Sequence, residues 1–345
     1  MKKFTSALTV TVILFFSQAA QAKIWRINNT PGIVADFTNC TAALSSTSVL
    51  NDDTLYIESS AIAYTGFTLS KRLVIIGTGY FLSGANSNTG LQASANSSSF
   101  GSAVIVFDST GSGSTLMGLD NVYLGVGPVL GSATDNITIT RCNLSNFGGY
   151  YGYTANTSMT GWVITKCYIG SFSFASFRMQ DWNINNNIMT STFDISGTSN
   201  TNMIVRNNVI RGGITLYNTY FTNNIITATT FTNVNATIKN NISTGTNLPA
   251  GNNNINGATD AALFQGLSGN STDGQWRLKA GSPAIGAGLT VGAVVSPDCG
   301  AFGATDPYKL SGIPSIPSIY SLTVPASIPT GTATMNVTFS TRSNN

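Results

Sequence analysis

Histidine is absent from all 345 residues, so Ser-His-Asp and Cys-His nucleophile systems and His-ligated zinc have no residues to draw on. Acid–base chemistry would have to come from carboxylates or cations. Glycosidase chemistry needs two carboxyls facing one bond. Residues 137–245 hold only Asp181 and Asp194, on either side of the segment from Trp182 to Met189, and Glu58 is the one glutamate of the chain. The cations of the same region are Arg141, Lys166, Arg178, Arg206, Arg211 and Lys239. Aromatic residues offer a different chemistry, because sugar rings stack on exposed aromatic faces and a phenol adds a polar rim. Tyr150, Tyr151 and Tyr153 lie in the glycine-rich run Gly148 to Tyr153, and Phe172, Phe174, Phe177, Arg178 and Asp181 fall in the corresponding place further on. Tyr150, Tyr151, Tyr153, Arg178 and Asp181 are the candidate ligand-binding set; the alternative is that the rings of both runs fold back as a satellite cluster.

These residues are placed by a repeat. Six segments align, beginning at Ile137, Trp162, Trp182, Met203, Thr219 and Ala236. Their third residues are Ile139, Ile164, Ile184, Val205, Phe221 and Ile238, and their eighth are Leu144, Ile169, Met189, Ile210, Ile226 and Ser243. Only Thr219 and Ser243 break the apolar pattern of the three columns. The sixth residues are Cys142, Cys167, Asn187, Asn208, Asn224 and Asn241, at intervals of 25, 20, 21, 16 and 17. A period of about 20 is too short for helical-hairpin repeats of roughly 33 to 45 residues and fits one β-solenoid coil per repeat. Alternate apolar residues then point inward, and each coil stacks about 4.8 Å from the next. Asn at a stacked turn position can bond to its equivalents above and below. Trp162 and Trp182 occupy an inward column and belong to the core. Cys142 and Cys167 share a column on adjacent coils, within disulfide reach, and either a disulfide or a buried thiol stack fits; Cys40 and Cys299 belong to opposite ends and should not pair.

Segments such as Ile184-Asn185-Asn186-Asn187-Ile188-Met189 and Val205-Arg206-Asn207-Asn208-Val209-Ile210 resemble the coils of right-handed parallel β-helix proteins, the pectin-lyase-like superfamily. The run from Asp52 to Leu82 resembles that family's opening coil. Trp276-Arg277-Leu278, Ser282 to Gly288 and Asp298 to Gly303 resemble its terminal signature, which closes the last coils. The resemblance implies an all-β, right-handed parallel β-helix but no single activity, since its members include lyases, hydrolases and adhesins. A polysaccharide lyase of this kind would use Arg141, Lys166 or Arg178 as base, with calcium neutralising a uronate. Carboxylates to hold calcium are lacking in those coils, so no metal site and no cofactor are expected outside that case. Arg141 and Lys166 share a turn column with Asn186, Asn207, Asn223 and Asn240, and the simplest reading is a solvated basic stripe.

Met1 to Ala22 carries Lys2 and Lys3, an apolar run from Ala7 to Phe16 and Ala20-Gln21-Ala22, the pattern of a secretory signal peptide of bacterial type. Removing Lys2 and Lys3 leaves 14 basic against 13 acidic residues. A nearly neutral chain with 8% charged residues lacks the basic face of a nucleic-acid binder, and no later apolar run is long enough for a transmembrane helix. Asp36 to Val49 has helical spacing with Asp36 as a possible N-cap, suited to covering the open end of the solenoid. Residues 84–101 read as a loop. Met117, Leu119 and Leu124 are placed one coil upstream of Ile137, Ile139 and Leu144, with Val122 in the polar column. From Asp306 onward, prolines separate short alternating runs, giving an extended tail that packs along the solenoid, forms a β-ribbon, or serves as an anchoring or export signal.

The expected organisation is a signal peptide (1–22), a β-helix domain (23–305) and a Pro-rich β tail (306–345). The expected protein is secreted or held at the outer cell surface and monomeric, with a binding or structural role. A polysaccharide or cell-surface glycan is the favoured partner, and polysaccharide lyase is the alternative. A flat Thr and Asn face for ice or mineral would need longer Thr ranks than Thr138, Thr140 and Thr165 supply.

Overall fold

The computed structural model describes residues 22–126, 133–149, 158–175, 177–227 and 230–344. Met1 to Gln21, and Tyr150, Tyr151 and Tyr153, lie outside them. The chain is a parallel β-solenoid of about eight turns. Among the described residues its first ladder stacks ten short parallel strands, from Ile24–Ile27 to Thr237–Lys239. A second, twelve-stranded sheet runs beside it from Phe67–Leu69 to Ile242–Ser243, with a branch through Phe193–Ile195, Ile214–Tyr217 and Phe231–Val234. No helix of the described residues is long and apolar enough to cross a membrane.

The columns expected from the repeat are the columns of the fold. Ile139, Ile164, Ile184, Val205, Phe221 and Ile238 are register partners on successive strands, and so are Leu144, Ile169, Met189, Ile210, Ile226 and Ser243. All are buried. Trp162 and Trp182 stack with centroids 4.9 Å apart and ring planes 9° from parallel. Phe172, Phe174 and Phe177 turn into the same core rather than outward.

Strands of three or four residues must be broken by sharp corners, and the backbone makes them in the left-handed region. Asn136, Asp181, Asn202, Asn218 and Asn235 precede strands of the first ladder, and Arg141, Lys166, Asn186, Asn207, Asn223 and Asn240 follow them, all with φ between 51° and 58°. Asn tolerates this region better than other residues with a side chain, which is why Asn punctuates the repeats.

The sixth-residue column is fully buried. Asn187 donates its backbone N–H and its side-chain Nδ2 to Asn208 Oδ1 at 2.9 and 3.0 Å. Asn208 does the same to Asn224 and Asn224 to Asn241, at the same distances, and Asn241 bonds in turn to Asn254. Each Nδ2 also reaches a backbone carbonyl, Asn187 to Ile164 O and Asn208 to Ile184 O. The ladder ends at Cys167, whose N–H donates to Asn187 Oδ1. Cys142 N–H then approaches Cys167 Sγ at 3.5 Å. Cys40, Cys142, Cys167 and Cys299 are all free, buried thiols, so the stacked thiols, not a disulfide, occupy this column.

Two expectations are corrected. Leu116, not Leu119, pairs with Ile139, Val122 pairs with Leu144, and Leu119 stands above Cys142. The interval from Leu116 to Ile139 is 23 residues, so an even spacing of 20 slides the register by three. The N-terminal helix spans only Cys40–Ser45, and its N-cap is Asn39, whose side chain accepts from Ala42 N. Asp36 instead accepts from the backbone N–H of Arg26.

Asn208→Ala removes the acceptor of two buried Asn187 donors and should lower unfolding free energy by about 3 kcal/mol, whereas Asn233→Ala, exposed on Phe231–Val234, should change the urea midpoint little. Burial pushes the Cys40 and Cys299 thiols up to about 12 and Cys167 well above the ordinary range. A thiol reagent at pH 8 should therefore find no reactive group in the native protein and four after denaturation without reductant; a count of two would mean a disulfide.

Candidate functional site

The C-terminal segment does not close the last coils. Residues 284–314 run back along the solenoid as a strap over the left-handed corners that follow the first ladder. Asn240 Nδ2 donates to Ala287 O, Asn223 Oδ1 accepts from Leu289 N, and Asn207 Nδ2 donates to Asp298 O. Asn186 Nδ2 reaches Ala301 O and Gly303 O. Lys166 pairs with the Asp306 carboxylate, and Arg141 Nη1 donates to Ile313 O at 2.7 Å and to Asn344 O at 3.0 Å. At Gly312, with φ +52°, a Cβ would lie 2.3 Å from Arg141 O, so only glycine allows this approach.

Arg141 and Lys166 are thus buried under the strap, which corrects the solvated basic stripe. Corner side chains project away from the ladder, and the strap takes them as anchors. Burial lowers the guanidinium pKa of Arg141. Arg178 lies elsewhere, exposed on Arg178–Gln180, which pairs with Ser158–Thr160 in a separate two-stranded sheet. Asp181 is the next corner, its carboxylate accepting from Asn202 Nδ2 at 2.8 Å, and Asp194 bonds to the N–H of Ser196. The three candidate bases are not brought together, and neither are the two carboxylates. Among the described residues no group of three or more acidic or thiol side chains is assembled that could hold a metal ion.

Beneath the strap a second apolar cluster forms: Ile188, Val209, Ile225 and Ile242 on the outer face of the second sheet meet Phe264, Trp276, Ala284, Cys299 and Tyr308. Its polar pin is Asp273, which is fully buried. The carboxylate accepts from Asn88 Nδ2 and Ser271 Oγ at 2.8 Å and from Ser311 N–H at 2.6 Å. Tyr308 hydroxyl approaches it at 3.3 Å and bonds to that of Tyr80 at 2.5 Å. Burial raises both tyrosine pKa values well above normal.

Where the strap bows away from the first ladder, a groove of about 430 Å³ opens. Its floor is an outward column with one residue per coil: Thr165, Asn185, Arg206 and Thr222 are register partners. The neighbouring column adds Ile204 and Tyr220, and Val291, Val294 and Pro297 of the strap form the opposite wall. Asn185 Oδ1 is buried without a hydrogen-bond partner. The Arg206 guanidinium and the Tyr220 hydroxyl also make no bond among the described residues, and Tyr220 is 38% exposed. In the sequence Arg206 showed only as one of several cations and Thr165 as one of a few threonines; the strap that makes these positions a groove carried no periodic signal. No family model matches the chain, and no curated protein matches it.

Asp273→Asn would turn a donor group toward donors already committed to the carboxylate. Amide hydrogen exchange at residues 298–313 should accelerate at least roughly tenfold, while exchange in the Asn187–Asn241 column stays unchanged.

Proposed function

We propose that this chain is an exported β-solenoid protein that binds a carbohydrate chain in the groove between the first ladder and the strap. The observation that carries the reading is the set of polar groups the fold leaves unused in one place, the Asn185 side-chain oxygen, the Arg206 guanidinium and the Tyr220 hydroxyl. An unused buried acceptor is costly unless something else pairs with it. A sugar supplies hydroxyls to the amide and guanidinium and an apolar ring face to Tyr220. The volume lies within the roughly 300–1,000 Å³ usual for small-ligand sites. Because the floor repeats once per coil, about 4.8 Å, it favours an extended ligand lying along the solenoid axis. The nearby Asp306 is committed to Lys166, so the groove offers recognition without a paired acid and base. The secretory pattern of Met1 to Ala22 supports an extracellular or outer-surface setting for such a ligand.

Purified protein screened against acidic and neutral polysaccharides, with and without calcium, should bind without generating unsaturated products. Arg206→Ala and Tyr220→Ala should each weaken binding roughly tenfold, about 1.4 kcal/mol, with thermal unfolding unchanged. Equal binding by both variants would remove the groove from the reading, and a rise in ultraviolet absorbance lost in Arg178→Ala would make the protein a lyase.

A further inference from the structure

A second pocket, of about 580 Å³, lies where Arg211, just after the strand Val209–Ile210 of the second sheet, meets the short helix Asp260–Leu263 and the turn Gly274–Trp276. Arg211 lies over the Trp276 ring, its guanidinium carbon 4.7 Å from the centroid. That contact holds the guanidinium over the indole face, while its Nη1 and Nη2 groups make no hydrogen bond among the described residues. Arg211 Nε donates to Thr227 Oγ1 at 3.3 Å. Its Nη2 stands 3.9 Å from Asp260 Oδ2, too far for a hydrogen bond. Lys279 brings a second cation to the lining, its ammonium held by Ala261 O at 3.3 Å. Two cations therefore face a single carboxylate in a chain that is otherwise close to neutral. Trp276 is 6% exposed and its indole N–H is buried without a partner, so no protein hydrogen bond accounts for the position of the ring. Gln265 and Gln275 each donate one amide N–H, to Leu278 O and Thr272 O, and their carbonyl oxygens remain as acceptors on the rim.

We infer that this pocket is a second binding site, distinct from the groove, for an oxyanion carried on a small polar molecule such as an acidic or sulfated sugar. The Arg211 fork takes the anion edge-on in place of the distant Asp260, Lys279 adds charge, and the glutamine carbonyls receive hydroxyls of the carrier. Charge-assisted bonds to a stacked guanidinium are the strong kind.

The test is titration of the full chain with glucuronate, glucose 6-sulfate and glucose at low ionic strength, followed by calorimetry and by tryptophan emission. Both anions should bind saturably and change the emission while glucose does not, and added salt should weaken them. Arg211→Ala and Lys279→Met should each weaken binding roughly tenfold, with Arg211→Lys between Arg211→Ala and the parent. Trp276→Phe should remove the optical change, and Tyr220→Ala in the groove should leave the affinity unaltered. A preference of one anion over the other identifies the carrier chemistry. The inference is overturned if neither anion binds better than glucose, or if Arg211→Ala binds as tightly as the parent; a loss in Tyr220→Ala alone would place the anion in the groove instead.

Discussion

Every coil of this solenoid must present the same outline to the coil above it, and from Asn187 to Asn254 the buried asparagine column is the interaction that enforces this. An amide withdrawn from water is costly unless all its groups are bonded. Here one side-chain oxygen takes two donors from the preceding coil, and one nitrogen serves both the next asparagine and a backbone carbonyl. Such bonding holds only while the corners stay in register. The left-handed corners, most of them Asn, that flank strands of the first ladder are the backbone counterpart, since three-residue strands stack only if both ends turn at the same place.

Those corners do a second task that follows from the first. Their side chains project from the ladder at one per coil, and the strap fastens to them through Asn240, Asn223, Asn207, Asn186, Lys166 and Arg141 in turn. A solenoid surface is otherwise uniform. Because the strap touches the corners but arches clear of the strand faces near residues 289–297, it creates concavity where the ladder alone would be flat. The groove borders this strap, and the Arg211–Trp276 pocket is lined by the stretch that leads into it, from Asp260 to Lys279.

The ladder was legible because its signal is periodic: six aligned segments placed Ile139 to Ile238 and Leu144 to Ser243 on the strands and in the register where they lie. Where the spacing departs from the mean, as between Leu116 and Ile139, the same reasoning slips. The helix start was missed by one turn because Asp36 and Asn39 are both competent caps, and only the folded chain shows Asp36 engaged by Arg26. The strap was invisible for a physical reason. Its anchors fall at 287, 289, 298, 301, 306 and 313, an uneven series set by backbone bends, so no period betrays it. Arg141, Lys166 and the groove's Arg206 consequently looked alike as free cations, and nothing singled out Tyr220.

The strap also bears on how such a chain can evolve. Repeat proteins usually lengthen or shorten by gain or loss of whole units, because each unit contacts only its neighbours. Here one continuous segment is matched, corner by corner, to coils from Arg141 to Asn240. Duplicating or deleting a coil inside that span would misalign every anchor on one side of the change. The strap acts as a ruler for the repeat array, and its bonds from Tyr308 and Ser311 to Tyr80 extend the same constraint to an earlier coil.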